Sequence, residues 1–339
     1  MKALVTGSEG FIGGYIVREL LSQGFEVVGL DSLEKYGKTQ NQSDLKNYQF
    51  IKGDARDSEL IFELLDGCDH LIAGAAKIGG ISYFHTFAYD LLAENERIMA
   101  STVDAAIKRF PEGKLKKVTY LSSSMVFEST DRWPSKEGDQ KVIPPPLSSY
   151  GFQKLAVEYF ARAAYDQYQL PFTILRPFNC VGIGEPKAVS EKKIYSGEVQ
   201  LAMSHVVPDL VQKIVRGQNP LRILGTGEQI RCYTYGGDLA KGIYLSLENS
   251  RALNEDFNLS TAETTTVLEL AKLIWTRVYD STTEFNYILE PAFEYDVQKR
   301  IPSVDKAKEL LDFSAQTSLV DVIDEIIDWV KYAIKMDMI

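Results

Sequence analysis

The chain opens on a short apolar run, Lys2-Ala3-Leu4-Val5-Thr6, that breaks into a glycine-rich turn and then into a segment with apolar residues at Ile12, Ile16, Val17, Leu20 and Leu21. An apolar run of strand length followed by a 3.6-residue repeat predicts a buried strand feeding an amphipathic helix. The pattern recurs. Glu26-Val27-Val28-Gly29-Leu30 predicts a second strand ending at Asp31, Phe50-Ile51-Lys52 closes a third, and His70-Leu71-Ile72-Ala73 and Lys117-Val118-Thr119-Tyr120-Leu121 supply a fourth and a fifth. Strand and helix alternate to about Leu175, which predicts an α/β fold built on a doubly wound parallel sheet with helices on both faces. After Arg176-Pro177-Phe178-Asn179 the rhythm loosens, and residues 182–193 read as a loop rich in breakers and charge. Residues 1–180 are therefore expected to carry the sheet, and 181–339 to build mainly a smaller C-terminal lobe over its carboxyl edge. Segments around 231–260 are expected to return to the sheet region, as Arg231-Cys232-Tyr233-Thr234-Tyr235 and Asp256-Phe257-Asn258-Leu259. The tail from Leu319 to Lys335 has the spacing of an amphipathic helix, with its apolar face assigned to core.

Composition narrows the class. A chain of 339 residues with 45% hydrophobic content can bury one large core with a smaller lobe beside it. No apolar run reaches membrane-spanning length, and a first strand beginning at Lys2 leaves no room for a signal peptide, so a cytoplasmic protein with no membrane partner is expected. Cys68, Cys180 and Cys232 are odd in number and lack metal spacing; with His70, His85 and His205 they form no ligand pattern, and neither disulfide nor metal is expected. A net charge of -10 argues against nucleic acid as a partner. It leaves room for an anionic small ligand, which needs only a local arginine or two.

The first turn suggests such a ligand. Gly7 permits the tight turn, Gly10 lets the backbone approach a pyrophosphate where Phe11 and Ile12 open the helix, and Gly13 allows that helix to pack closely on the sheet. Asp31, at the end of the second strand, is placed to accept hydrogen bonds from a ribose and to repel a 2′-phosphate, which predicts NAD rather than NADP. Asp54 and Ala55 follow the third strand toward an adenine edge, and Ala75 and Ala76 give a dinucleotide close passage after the fourth. The fifth strand delivers Ser122, Ser123 and Ser124 to its carboxyl end, where ligands of open α/β sheets bind. Downstream, Tyr150 and Lys154 stand four apart and share a helix face. An ammonium beside a phenol that normally titrates near ~10 favours the ionised form and suits it to general-base work.

These residues together resemble a known family, the extended short-chain dehydrogenase/reductases that act on nucleotide sugars as epimerases, dehydratases, decarboxylases and 4-ketoreductases. The resemblance spans nearly the whole chain. It rests on Thr6 to Gly13, Ala75-Ala76, Ser122-Ser123-Ser124-Met125-Val126-Phe127, Tyr150 to Lys154, Arg176-Pro177-Phe178-Asn179, Gly227-Glu228-Gln229-Ile230-Arg231 and the stretch from Asp296 to Ala307. It implies that Tyr150 exchanges a proton with a sugar hydroxyl while NAD takes the hydride, that Lys154 binds the nicotinamide ribose and keeps Tyr150 acidic, and that Ser123 bonds the same sugar oxygen. Pro177 is implied to pass the nicotinamide. Asn179, Arg231 and Arg300 resemble diphosphate-binding positions, and with Ser124, Met125 and His205 they complete the expected substrate set. The family also implies a homodimer through the helices around Ala88 to Lys108 and Ser149 to Asp166, with Leu91, Leu92, Ile98, Met99, Phe160, Ala161 and Ala164 available either to that interface or to the core.

Departures from the family pattern bear on the reaction. Dehydratases of this family carry an Asp-Glu pair where this chain has Ser124 and Met125, and its 3,5-epimerising members carry a cysteine at Met125; neither side chain here does that work. Ala75 to Ile81 and Ser204-His205-Val206-Val207-Pro208 are similar to GDP-fucose synthase, which leaves His205 as a proton donor, a sugar ligand or a plain helix cap. What remains is a 4-epimerase acting on a UDP-, GDP-, CDP- or dTDP-hexose through a transient 4-keto sugar. A 4-ketoreductase is the main alternative, followed by a decarboxylase and a dinucleotide-binding protein without turnover.

Overall fold

The computed structural model describes residues 1–37, 45–78, 87–185, 194–196, 199–201, 205–280, 282–292 and 296–339. His85, Gly79 to Ile81, the stretch 187–193 and Ser204 lie outside the described residues.

Seven strands form the main sheet: β1 (Lys2–Thr6), β2 (Glu26–Asp31), β3 (Tyr48–Lys52), β4 (His70–Ala73), β5 (Lys117–Leu121), β6 (Phe172–Pro177) and β7 (Glu255–Leu259). Their order is β7-β6-β5-β4-β1-β2-β3, and every pairing is parallel. Ala3, Leu4 and Val5 are inaccessible, as a central strand covered on both faces requires. The chain runs from β1 outward to β3 and then crosses back to lay β4 on the other side of β1. This reversal opens a crevice at the carboxyl ends, where Thr6 pairs with Ala73.

Helices close both faces. On one, Met99 and Val103 of helix Ala88–Arg109 and Val157, Ala161 and Ala164 of helix Ser149–Tyr168 cover Leu71, Val118 and Tyr120. On the other, Ile16, Val17 and Leu20 of helix Phe11–Ser22 meet Leu239, Ile243 and Leu247 of helix Gly236–Leu247. Leu91, Met99, Ala161 and Ala164 are thus core residues of one subunit and do not offer an interface. The large apolar side chains that these two helices do expose are Tyr89, Phe152, Tyr159 and Tyr168.

A separate core joins helices Val206–Val215, Val267–Val278 and Leu319–Lys335 through Leu210, Ile214, Leu270, Trp275, Ile323 and Ile327. The tail helix buries its apolar face there, as its spacing predicts. The expectation for 231–260 divides. Glu255–Leu259 becomes the edge strand β7, whereas Ile230–Arg231 pairs with Thr265–Thr266, and Thr234–Tyr235 pairs with Cys180–Val181, both outside the main sheet. Two-residue strands carry too little periodicity to signal their partners. No helix among the described residues is long and apolar enough to cross a membrane.

Candidate functional site

The crevice begins at the glycine turn. Gly7 has φ +76°, and a Cβ there would lie 2.9 Å from the Ala75 backbone; a Cβ on Gly13 would lie 1.9 Å from the Gly7 carbonyl oxygen. Thr6 Oγ1 accepts from the amides of Gly74 and Ala75, both at 3.2 Å, and draws the ends of β1 and β4 together. The Asp31 carboxylate accepts from the amides of Glu9 at 3.1 Å and Leu33 at 2.8 Å; burial nevertheless raises its pKa. A tight turn opening a twelve-residue helix, with a carboxylate at the end of the next strand, fits a dinucleotide pyrophosphate and an unphosphorylated ribose. The glycine contacts set a direct test. Gly13→Ala is expected to yield protein without bound NAD, read as the absorbance of the supernatant after denaturation, because the methyl group must displace the turn itself.

The candidate acid–base residues meet at the end of β5. Ser148 caps helix Ser149–Tyr168 by accepting from the Gly151 amide at 3.0 Å, and it is held in turn by Glu128 Oε2 at 2.8 Å. The cap fixes the first turn, where Tyr150 lies buried. Ser123 Oγ accepts from the Met125 amide at 3.2 Å, so its own proton is free to bond the Tyr150 phenol oxygen. Burial raises the Tyr150 pKa; the Ser123 bond and Arg300 oppose that rise. Lys154 is buried on the same helix. Its Nζ donates to the Leu121 carbonyl at 2.9 Å, and burial lowers its pKa to about 8. Arg300 is a cation that acts on Tyr150.

Arg300 donates to Asn179 Oδ1 at 3.5 Å and has no ion-pair partner among the described residues. Burial and the neighbouring Arg231 lower it to about 10. Arg231 pairs with Asp296 at 3.3 Å, and Asp296 also accepts from Gln229 at 2.7 Å. Two buried guanidinium groups, with Asp296 and Glu128 as carboxylates acting on Arg300, form a basic site suited to a diphosphate. Asn179, at φ +39°, donates to the Cys232 carbonyl at 3.2 Å. His205 occupies the N-cap position of helix Val206–Val215 yet makes no side-chain capping bond. Its Nδ1 lies 2.7 Å from Glu185 Oε1 instead. Burial raises the Glu185 carboxyl, but His205 and Lys35 outweigh it and hold the group low and ionised.

One cavity of about 580 Å³ joins all of these residues. Its wall includes Gly7, Gly10, Phe11, Ile12, Gly13, Asp31, Asp54, Ala55, Ala75, Ala76 and Pro177 on the dinucleotide side, and Ser123, Ser124, Met125, Tyr150, Lys154, Asn179, His205, Arg231 and Arg300 toward the smaller lobe. The Asp54 carboxylate is taken up by Arg56 Nε at 2.9 Å. Sequence reading passed over Glu128, Glu185, Asp209 and Tyr233, which line the same wall. It also gave no role to Arg176, although a charge inside the apolar run Phe172-Thr173-Ile174-Leu175 is itself the sign of a buried partner.

Comparison with known proteins agrees with this geometry. Residues 3–260 match the model of the NAD dependent epimerase/dehydratase family. A UDP-glucose 4-epimerase of Halalkalibacterium halodurans is 29% identical over 80% of this chain and 79% of its own. A UDP-N-acetyl-alpha-D-glucosaminuronate decarboxylase of Bacillus cytotoxicus is 27% identical over 97% of both. The structure of a UDP-glucose 4-epimerase from Thermotoga maritima with UDP-glucose superposes with a TM-score of 0.81 at 27% identity, covering 98% of this chain and 100% of that one. Relatives of different reaction thus stand at similar distance, and the reaction has to be argued from the site.

Proposed function

Because this chain belongs to the NAD-dependent epimerase/dehydratase family, we propose that it inverts carbon 4 of a nucleotide-diphosphate hexose. The observation that carries this reading is the buried Tyr150–Ser123 pair, flanked at positions 124 and 125 by a hydroxyl and a thioether. Eliminating water across two carbons needs a separate acid and base, and neither of those side chains supplies one.

NAD held by the glycine turn and Asp31 would supply the oxidant for C4 and the reductant that restores it. Ionised Tyr150 takes the O4 proton as the C4–H bond breaks, and Ser123 donates to the same oxygen. The product of this half-reaction is a 4-keto sugar held by its diphosphate on Arg231 and Arg300. Turning about the diphosphate linkage presents the other face of C4, Tyr150 returns its proton to O4, and the sugar leaves inverted with no net change in redox state. Asn179 steadies Arg300, and Lys154 is assigned to the nicotinamide ribose. The Leu121 carbonyl holds its Nζ at the strand end from which Ser122, Ser123 and Ser124 extend.

A homodimer in the cytoplasm is part of the same reading. Tyr89, Phe152 and Tyr159 lie exposed on adjacent helices and provide an apolar face for a twofold contact.

The test is cofactor balance. Purified protein, denatured and analysed by mass spectrometry, is expected to release NAD, and the intact protein to convert UDP-, GDP-, CDP- or dTDP-hexoses to their C4 epimers without consuming added cofactor. Stoichiometric consumption of NADH or NADPH on a 4-keto sugar would instead assign a ketoreductase.

A further inference from the structure

Residues 128–148 connect the turn that carries Ser123 to the helix that carries Tyr150, and the two ends of that connection meet. Glu128 closes the short helical turn Ser124–Phe127, its amide donating to the Met125 carbonyl at 3.1 Å. Its Oε2 accepts from the Ser148 amide at 3.1 Å and from Ser148 Oγ at 2.8 Å, and Ser148 Oγ accepts in turn from the Gly151 amide at 3.0 Å. The carboxylate therefore lies at the N-terminus of helix Ser149–Tyr168, where negative charge is favoured. The fit is close. A Cβ on Gly151 would lie 2.6 Å from Glu128 Oε2 and 3.0 Å from the Met125 carbonyl oxygen. Tyr150 stands between the cap and that glycine, so one carboxylate fixes its helix against the turn of Ser123.

The same connection grips the segment that bears Arg300. Trp133 Nε1 donates to the Lys299 carbonyl at 3.1 Å, and the Ser135 amide donates to the Ile301 carbonyl at 2.8 Å. Arg300, between them, donates its own amide to the Ile230 carbonyl at 3.0 Å. Glu128 and Arg300 line one cavity wall, and the charged and titratable groups that act on Arg300 are Arg231, Asp296, Tyr150 and Glu128. Arg300 acts in turn on Tyr233, and Lys77 and Lys154 share the wall. Glu128 Oε1 is enclosed and accepts no hydrogen bond among the described residues, so no donor takes up its charge there.

We propose that Glu128 is a positioning residue for the C4 reaction: it holds the Tyr150 phenol in register with Ser123 and offsets the charge that Arg300 presents to that phenol. The role needs no contact between Glu128 and the sugar. It rests on the epimerase reading given above.

The test compares Glu128→Ala with Glu128→Gln in steady-state kinetics across pH, on the nucleotide hexose that the wild type inverts. Glu128→Ala loses the tether, and kcat is expected to fall about ten- to a hundredfold, the scale of a small misplacement of a reacting group, while KM does not rise. Glu128→Gln keeps an oxygen for Ser148 and removes only the charge. Its kcat is expected to recover above that of Glu128→Ala, and its rising pH limb to move to lower pH, because a carboxylate no longer opposes Arg300 in favouring the ionised phenol. That direction is opposite to the one expected for Arg300→Met, and a loosened helix alone does not produce it. In an Arg300→Met background the shift is expected to shrink. Should Glu128→Ala misfold, Ser148→Ala tests the tether by removing the hydroxyl and leaving the carboxylate; it is expected to lower kcat with the limb in place. A Glu128→Gln limb that stays or moves to higher pH, wild-type kcat in Glu128→Ala, or Glu128→Gln no better than Glu128→Ala overturns the assignment alone. A wild-type protein that inverts C4 in none of the UDP-, GDP-, CDP- and dTDP-hexoses overturns the epimerase reading and the assignment with it.

Discussion

Tyr150→Phe lowers turnover by about 10²–10⁴-fold, the usual worth of a positioned proton-transfer group, while the NAD content of the purified protein stays unchanged. The phenol oxygen is the atom that bonds Ser123 and feels Arg300, and the substitution removes it while leaving the ring in its contacts with Leu91 and Met125. The expected loss therefore falls on kcat, with little change in nucleotide binding. The pH profile adds a second reading. Burial raises the Tyr150 pKa, so the phenol is largely protonated at neutral pH and activity climbs as pH rises toward its titration. Arg300 opposes that rise, so Arg300→Met moves the climbing limb to still higher pH. Lys154, lowered to about 8, loses its charge on the alkaline side and sets an upper bound to the optimum near that pH. A Tyr150→Phe protein with near-normal turnover would remove Tyr150 from the mechanism.

Arg176→Met destabilises the fold by about 3–5 kcal/mol in chemical denaturation, because it strands buried carboxylates. Arg176 is inaccessible, and its guanidinium reaches Glu158 at 2.7 and 2.8 Å and Asp256 at 2.5 Å. Glu158 Oε1 also accepts from Ser122 Oγ at 2.8 Å, so one ion cluster ties β6, β7, the catalytic helix and the strand end that carries Ser123. Burial pushes the Asp256 carboxyl up, but Arg176, Lys306 and Arg162 overrule it and hold the group well below the usual carboxylate range. A depressed carboxyl contributes stability that is present above its unfolded value of ~3.9 and is lost as pH falls through the folded one. Without Arg176 that contribution shrinks, and acid unfolding moves to higher pH. The double variant Arg176→Met with Glu158→Gln is expected to lose less than the sum of the singles, since each alone leaves the other's charge unmatched. Strict additivity would contradict the cluster.

The parts of the site written locally could be read from the chain. Gly7, Gly10 and Gly13 lie within one turn, Asp31 ends the next strand, and Tyr150 and Lys154 share a helix face, so spacing alone groups them. Parallel-sheet strands could be read for the same reason, since burial on both faces leaves continuous apolar runs. Contacts that join distant segments could not. Arg176 announces a buried charge but not that its partners are Glu158 and Asp256, the latter 80 positions away. His205 stood open among three roles because its partner, Glu185, comes 20 residues earlier in a loop without periodicity. The bond from Lys154 to the Leu121 carbonyl was hidden for a related reason: helix spacing predicts neighbours on a face, whereas that contact is made by the packing of the helix on β5.

The most direct measurement is the fate of the hydrogen on C4. An NDP-hexose deuterated at C4 is incubated in light water with the enzyme and no added cofactor, and the product is read by mass spectrometry and proton NMR. The account predicts C4-inverted product with deuterium still on C4, because the hydrogen leaves and returns within one closed site. Inverted product that has exchanged deuterium for solvent hydrogen, or no inversion without added reduced cofactor, would contradict it.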